Sequence, residues 1–142
     1  MLWRLDRDAD ARALFESEID RRRAALGERQ PAVADALEAH GRRLLEHEAA
    51  VESEAALRAA IEIREFSAPD DRVALAAARC VLGRALTAQR RFADAEQTLL
   101  EAEQRLSQAG DPAASRAHEA LVELYVAWHR ETDAKRWRAP SP

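Results

Sequence analysis

The residues of this chain most able to do chemistry are its four histidines and its one cysteine, Cys80. His40 and His47 lie seven residues apart, so on a helix they could share a face and hold a metal ion together. No carboxylate accompanies them at a spacing known from metal sites, so partly exposed histidines on a charged helix are the commoner interpretation. Cys80 could be a nucleophile, but it falls in mid-helix, where buried cysteines usually behave as small hydrophobic residues.

Motifs of known enzymes are also missing from the sequence. HExxH, a glycine-rich phosphate loop, CxxC and GxSxG do not occur. Carboxylate pairs such as Glu52/Glu54 and Glu101/Glu103 are typical of solvated helix faces. The sequence therefore predicts a protein that is not an enzyme and that has no catalytic residue, no cofactor and no metal ion.

Composition narrows the class of protein further. The chain has 142 residues, of which 47% are apolar and 34% charged, with a net charge of −4. No segment approaches the roughly 18 to 20 apolar residues that span a bilayer, and the first ten residues lack the apolar region of a signal peptide. Basic clusters such as 20–25 are flanked by acids, unlike the basic faces of nucleic-acid-binding proteins. With a single cysteine, these features predict a cytoplasmic protein that binds neither membrane nor nucleic acid.

The elements that position all these residues are predicted to be helices. The chain contains 33 alanines and many Arg, Glu and Leu residues, which are strong helix formers, and it lacks the alternating β-branched runs of strands. Apolar periodicity and turn signals predict helices at about 9–26, 31–47, 51–66, 71–88, 92–108, 112–129 and 131–138. Prolines fall at or just before helix starts, and the candidate N-caps are Asp111 and either Asp70 or Asp71.

An internal repeat relates these helices. Gly41 and Gly83 stand 42 residues apart, and the same offset aligns Leu57 with Leu99. An offset of 39 then aligns Tyr125 with Leu86. We expect the glycines to allow two helices of one repeat to approach closely, with the leucines filling the space beside them. The helix at 92–108 should bury one face, formed by Phe92, Ala95, Leu99, Ala102 and Leu106.

The repeated positions resemble the tetratricopeptide repeat (TPR). The family's signature order is matched by Leu82, Gly83, Leu86, Phe92, Ala95, Leu99 and Ala102. The 42-residue period, longer than the usual period of about 34, is similar to the kinesin light chain-like variant. Bacteria use that variant in C-terminal tails of serine/threonine kinases and in regulators. The resemblance implies an all-α, right-handed superhelical solenoid of about seven antiparallel helices, in which each repeat covers the apolar face of its neighbour.

The same register divides the chain into repeats within a single domain spanning 1–142. The segments are a half repeat at 1–29, repeats at 30–68 and 69–109, a C-terminal repeat at 110–138 and a tail at 139–142.

In TPR proteins the first helix of each repeat lines a concave groove that binds a peptide. The resemblance carries this role to Asp35, Glu38, Arg42, Leu45, Ala77, Cys80, Arg84, Thr87, Arg116, Glu119, Glu123 and Val126. Arg42 and Arg84 are equivalent and would form a ladder able to bind carboxylates, or else pair with the acids around them. The family's peptide-clamping asparagines are missing, since the chain has no asparagine. A ligand would then be held by charge and apolar contacts.

The N-terminal segment resembles the second helix of a repeat that lacks its first helix. Its apolar residues would then lack a covering neighbour: Leu2, Trp3, Leu14, Phe15 and Ile19. We therefore expect this helix to pack against a second copy, as a homodimer, or against upstream repeats. Trp3, Trp128 and Trp137 are expected to be packing residues at the two ends rather than a ligand site.

Three functional hypotheses follow. The first is a noncatalytic protein–protein interaction scaffold that binds a partner peptide or protein in the groove and can self-associate. The second is a regulatory or sensor C-terminal segment of a bacterial serine/threonine kinase or another multidomain signalling protein. The third is a small enzyme or metal-dependent regulator, which requires His40, His47 or Cys80 to converge with other polar groups in a pocket.

Overall fold

The computed structural model describes residues 2–27 and 30–138, and within these ranges every regular element is a helix. The prediction of an all-helical chain is confirmed for these residues. The helices are α1 (Leu2–Leu26), α2 (Pro31–Glu46), α3 (Ala50–Ser67), α4 (Arg72–Ala88), α5 (Phe92–Gln108), α6 (Ala114–Ala127) and α7 (Glu131–Arg138). The tail predicted at 139–142 lies outside the described residues.

The helix boundaries follow from local signals in most places. Pro31 is the first residue of α2, where its fixed φ suits the helix and its missing N–H costs nothing. The Asp71 carboxylate accepts a hydrogen bond from the Ala74 amide at 3.1 Å, so Asp71, and not Asp70, is the N-cap of α4. Asp111 instead accepts from the Ala113 amide at 2.8 Å, in a turn that precedes α6.

The largest boundary error concerns α1, which begins at Leu2 and not near residue 9. Residues 2–10 carry little apolar periodicity, which is why the pattern alone places the helix start too late. They contain no proline or glycine, however, and consist of Leu, Trp, Arg, Asp and Ala, so nothing in the sequence stops the helix. Local propensity therefore extends the helix beyond its apolar pattern.

The chain divides into two compact units, Met1–Asp70 (unit 1) and Asp71–Pro142 (unit 2). The division falls close to the boundary expected between the repeats 30–68 and 69–109. The single solenoid domain expected over 1–142 stays a prediction.

In unit 1, α2 packs against both α1 and α3. The side chains that these helices bury together form one apolar core, composed of Ile19, Val33, Ala34, Leu37, Leu44, Ala49, Ala56, Ala60 and Ile63. Alanines fill many of the contact positions, so the helices can lie close to one another.

In unit 2, α4 packs against α5, and α6 packs against α4, α5 and α7. The face predicted for α5 is confirmed at four positions, since Ala95, Leu99, Ala102 and Leu106 are buried. Phe92 is half-buried and stacks on the Trp128 ring, with 5.6 Å between the ring centroids.

A glycine and a leucine bring two helices together in each unit. A Cβ atom built on Gly41 would lie 2.8 Å from Leu57 Cγ, and one built on Gly83 would lie 2.5 Å from Leu99 Cγ. Both distances are too short for a real contact, and both leucines are fully buried. The expected close approach of two helices at these glycines is therefore observed in α2–α3 and in α4–α5.

The turn after α2, α4 and α6 has the same conformation each time. Glu48, Arg90 and His129 have φ of 61°, 61° and 58°, a left-handed conformation that non-glycine residues rarely adopt. The next residue's amide donates to a carbonyl five residues back: Ala49 to Leu44 at 2.8 Å, Arg91 to Leu86 at 3.0 Å and Arg130 to Tyr125 at 2.8 Å. This turn therefore recurs at the offsets of 42 and 39 residues that align the sequence.

Across 2–27 and 30–138, no helix combines the length and the apolar character needed to cross a bilayer.

Candidate functional site

Two helices of unit 2 present a polar surface that the sequence predicts as part of a groove. Arg84 on α4 and Glu123 on α6 face each other, with 3.4 Å between Nε and Oε2, and their side chains are 47% and 55% exposed. We call the surface around this pair the α4–α6 face and define it by Ala77, Arg84, Thr87, Arg116, Glu119, Glu123 and Val126. The residues on α6 are exposed, including Val126 at 43%, whereas Ala77 and Thr87 are half-buried.

Two of the predicted groove residues on α4 contribute less than expected. Cys80 is only 5% exposed and belongs to the core of unit 2, so its thiol is not part of the accessible face. The Thr87 hydroxyl donates to the Gly83 carbonyl at 2.9 Å, which uses its donor inside its own helix. The chemistry of the α4–α6 face therefore comes from its charged residues and Val126.

In unit 1, the acids predicted to line the groove are held by an arginine of α3. The Arg64 guanidinium donates to Glu38 and to Asp35, both at 2.5 Å. Arg64 and Glu38 are each 13% exposed, and these hydrogen bonds, that to Glu38 first, raise the pKa of Arg64. Because Glu38 is already paired with Arg64 and mostly buried, it has a structural role in unit 1 and is a poor candidate for a ligand contact.

The sequence pattern does not predict that Arg64 pairs with acids of α2. The repeat register aligns Arg64 with Leu106, which is fully buried, so alignment predicts an apolar position there.

The remaining groove positions of unit 1 are Arg42, which is exposed, and Leu45, which is half-buried.

The arginine ladder stays a prediction, because Arg42 and Arg84 belong to different units. The alternative interpretation, pairing with neighbouring acids, is observed for Arg84 and Glu123.

A buried polar group connects three helices of unit 2. The Tyr125 hydroxyl donates to Glu96 at 2.8 Å, and Arg130 lies 3.4 Å from the same carboxylate oxygen. Arg130 also donates to Asp133 at 2.8 Å. Burial, reinforced by the Glu96 carboxylate, raises the pKa of Tyr125 to about 12. Tyr125 is therefore neutral in this network at any ordinary pH.

The aromatic residues of unit 2 are packing residues, as expected. The His118 ring lies 5.3 Å from the Trp137 ring, and its Nε2 is 3.0 Å from Glu103. The Arg130 guanidinium lies 4.6 Å from the centre of the Trp128 ring, within the range of a cation–π contact. The side chain of Trp3 lies outside the described residues.

The histidine pair that suggested a metal site does not share a surface. His40 is 6% exposed, and burial lowers its pKa, whereas His47 is exposed. Among the described residues, no group of three or more His, Cys, Asp or Glu side chains has an arrangement that could hold a metal ion.

The predicted self-association surface on α1 is only partly available. Leu14 is 73% exposed, but Ile19 is 4% exposed in the core of unit 1, so the expectation that Ile19 lacks a covering neighbour is wrong. The neighbour is α2, which follows α1 and packs against it. The side chains of Leu2, Trp3 and Phe15 lie outside the described residues.

Comparison with known proteins does not assign the chain to a family: no protein-family model matches it, and no curated protein matches it. The resemblance to TPR proteins therefore depends on the residues and repeats of the chain itself.

Proposed function

We propose that this protein is a noncatalytic interaction scaffold and that unit 2 binds a peptide segment of a protein partner across the α4–α6 face. We further propose that its helices form a TPR-like right-handed solenoid. The glycine–leucine contacts, the recurring left-handed turns and the packing of α6 against both α4 and α5 support this arrangement.

The observation that carries the binding proposal is the exposed pair of Arg84 and Glu123. It joins the first helices of two successive repeats, and its side chains remain about half exposed. An exposed pair of this kind contributes little to stability, about 0 to 1 kcal/mol, and it can exchange its internal contact for a ligand's charge at little cost.

The residues around the pair indicate the chemistry of the ligand. Arg116 and Glu119 are exposed on α6, and Val126 adds an exposed apolar side chain at the other end of that helix. Charges of both signs next to an apolar group complement a peptide that itself carries both signs and one apolar anchor. A uniformly acidic or basic peptide would meet like charge at one of these positions.

The test is selection from a random peptide library displayed on phage, followed by affinity measurement on synthetic copies of the enriched peptides. We expect the enriched peptides to carry both signs of charge and to lose at least tenfold in affinity for a Glu119→Lys variant. Glu101→Lys on α5 is the matched control, because Glu101 is also exposed and the charge change is the same. It should leave the affinity unchanged.

Two outcomes contradict the proposal. One is that no peptide is enriched above background on the folded protein. The other is that Glu119→Lys and Glu101→Lys weaken binding equally, since a general charge effect would then explain the loss without a site on the α4–α6 face.

A further inference from the structure

Unit 1 contains an open cleft of about 400 Å³ between its three helices. Its apolar side is formed by Ile19, Leu37 and Leu44 together with the small side chains Ala55, Ala56 and Ala59. Arg12, Arg23 and His40 provide polar groups, and the exposed acids Glu16, Asp20 and Glu52 complete the lining. The volume lies within the range of about 300 to 1,000 Å³ that is typical of small-molecule sites.

The repeat register shows what fills the corresponding space in unit 2. Two steps of 42 residues align α1 with α5, and one step of 42 followed by one of 39 aligns α2 and α3 with α6 and α7. The positions of Ile19, Leu37 and Ala56 are taken there by Glu103, His118 and Trp137. His118 joins the other two side chains, because its ring lies against Trp137 and its Nε2 is paired with Glu103. Alanine at the tryptophan position therefore leaves unit 1 with space that an aromatic ring occupies in unit 2.

Arg12 supplies the polar requirement of the cleft. Its Nε is buried, and no described residue accepts a hydrogen bond from it. The aligned residue in unit 2 is Glu96, which is satisfied by Tyr125 and Arg130. Their counterparts in unit 1 are Leu44 and Ala49, which have no polar side-chain atom to offer. A buried, charged donor without an acceptor is costly, so it favours a ligand that brings an anionic oxygen.

We propose that the cleft of unit 1 binds a small aromatic carboxylate. The carboxylate accepts a hydrogen bond from Arg12, and the aromatic ring covers the alanine side of the cleft, next to Ala56. The acids of the cleft are exposed to solvent, whereas the Arg12 donor is buried, so the anion is attracted where water screens it least. His40 at the buried side is kept neutral by its lowered pKa and does not oppose an apolar ring.

The test compares three probes that share the indole ring: indole-3-acetate is an anion, tryptamine is a cation of similar size, and indole has neither side chain nor charge. Binding is followed by the NMR signals of the full-length protein. We expect indole-3-acetate to shift the methyl signals of Ala55, Ala56 and Ala59 and to bind at least tenfold more tightly than indole or tryptamine.

Three variants locate the site. Arg12→Met should reduce the affinity for indole-3-acetate to that for indole. Arg21→Met is the matched control, because Arg21 is also on α1 but its side chain is 74% exposed, and it should change nothing. Ala56→Trp places in unit 1 the residue that unit 2 uses, and it should abolish binding of every probe while the helical circular dichroism is retained.

The proposal is overturned if tryptamine binds as tightly as indole-3-acetate, because the acids of the cleft would then offset the attraction of Arg12 for an anion. It is also overturned if Arg12→Met retains the preference for the anion, or if the three alanine methyl signals do not move. Should Ala56→Trp fail to fold, the probe comparison and Arg12→Met decide the matter.

Discussion

Helices α1–α3 of unit 1 and α5–α7 of unit 2 align in sequence and share the left-handed turn before their last helix, but they differ in the side chains between the helices. Unit 2 fills this space with a network around Glu96 and Tyr125 and with the contact of His118 and Trp137. At the matching positions unit 1 has Arg12 in place of Glu96 and otherwise apolar or small residues, and it retains a cleft. The aligned residues that differ between the units therefore decide whether the space between the helices is filled or left as an open cleft.

The ion pairs of the two units differ in the same way. Arg64 joins α3 to two acids of α2 and is mostly buried, whereas the Arg84–Glu123 pair of unit 2 is about half exposed. The acids of α2 thus have a structural role in unit 1, whereas the charges of α4 and α6 in unit 2 are exposed to solvent. Burial of the partner, rather than the identity of the charged residue, separates the two roles.

The largest expected effect tests the feature that the units share. Gly83→Ala places a Cβ 2.5 Å from Leu99 Cγ, and we expect it to destabilise unit 2 by about 2 to 3 kcal/mol, since an overpacked core must shift. Gly41→Ala, at 2.8 Å from Leu57, should cost about 1 to 2 kcal/mol in unit 1. Hydrogen exchange measured on peptides from each unit in increasing urea gives the two values separately.

The double variant Gly83→Ala/Leu99→Ala provides the control for this prediction. Removal of the leucine side chain relieves the clash, so the two changes should cost less together than the sum of the single changes. Additive costs would mean that the glycine is not required by the leucine.

The second prediction concerns the contrast between the ion pairs. Arg64→Ala leaves Glu38 mostly buried without its partner and should destabilise unit 1 by about 2 kcal/mol. Arg84→Ala removes an exposed pair and should cost unit 2 less than about 0.5 kcal/mol. The same hydrogen-exchange measurement compares the two variants. Equal losses of stability would mean that the buried pair of Arg64 is no more structural than the exposed pair of Arg84.

The third prediction concerns the network around Tyr125 in unit 2. The raised pKa of Tyr125 means that the folded state holds the proton more tightly than the unfolded state, whose pKa is near 10. This contribution to stability is complete below pH 10 and is lost as the pH rises through about 12. Tyr125→Phe should lower the stability of unit 2 by about 1 kcal/mol at neutral pH and should remove this alkaline dependence.

The pKa of Tyr125 can be measured directly by absorbance, because the chain has one tyrosine. Its phenolate absorbance should titrate with a midpoint near 12. A midpoint near 10 in the folded protein would contradict the buried hydrogen bond to Glu96. Exchange in peptides of unit 1 is the internal control, since Leu44 occupies the matching position there.

The smallest expected effect concerns the left-handed turns. Glu48→Gly should stabilise unit 1 by less than about 1 kcal/mol, because glycine adopts φ of 61° without steric cost. Arg90→Gly should gain less in unit 2, since Arg90 also lies over the Phe92 ring at 5.3 Å. Glu62→Gly, at an exposed position inside α3, is the control and should cost about 1 kcal/mol. Thermal unfolding with exchange in each unit distinguishes the three.

The sequence alone predicted the helices and their repetition. Six of the seven helices in the described ranges begin and end within a few residues of the predicted boundaries, because proline, N-cap and apolar-period signals act locally. The glycine–leucine contact was also predictable, since its spacing recurs in the chain and only glycine permits so close an approach. The early start of α1 was missed because helix propensity continued where the apolar pattern was weak.

Only the tertiary structure decided which polar residues are buried or paired inside the protein and which remain exposed to solvent. Arg64 could have paired with any nearby acid, and its neutralisation of Glu38 depends on the packing of α3 against α2. The burial of Cys80 and of the Arg12 Nε likewise depends on which helices surround them. The physical reason is that backbone hydrogen bonds and helix periodicity are local along the chain, whereas burial and charge pairing are set by neighbours distant in sequence.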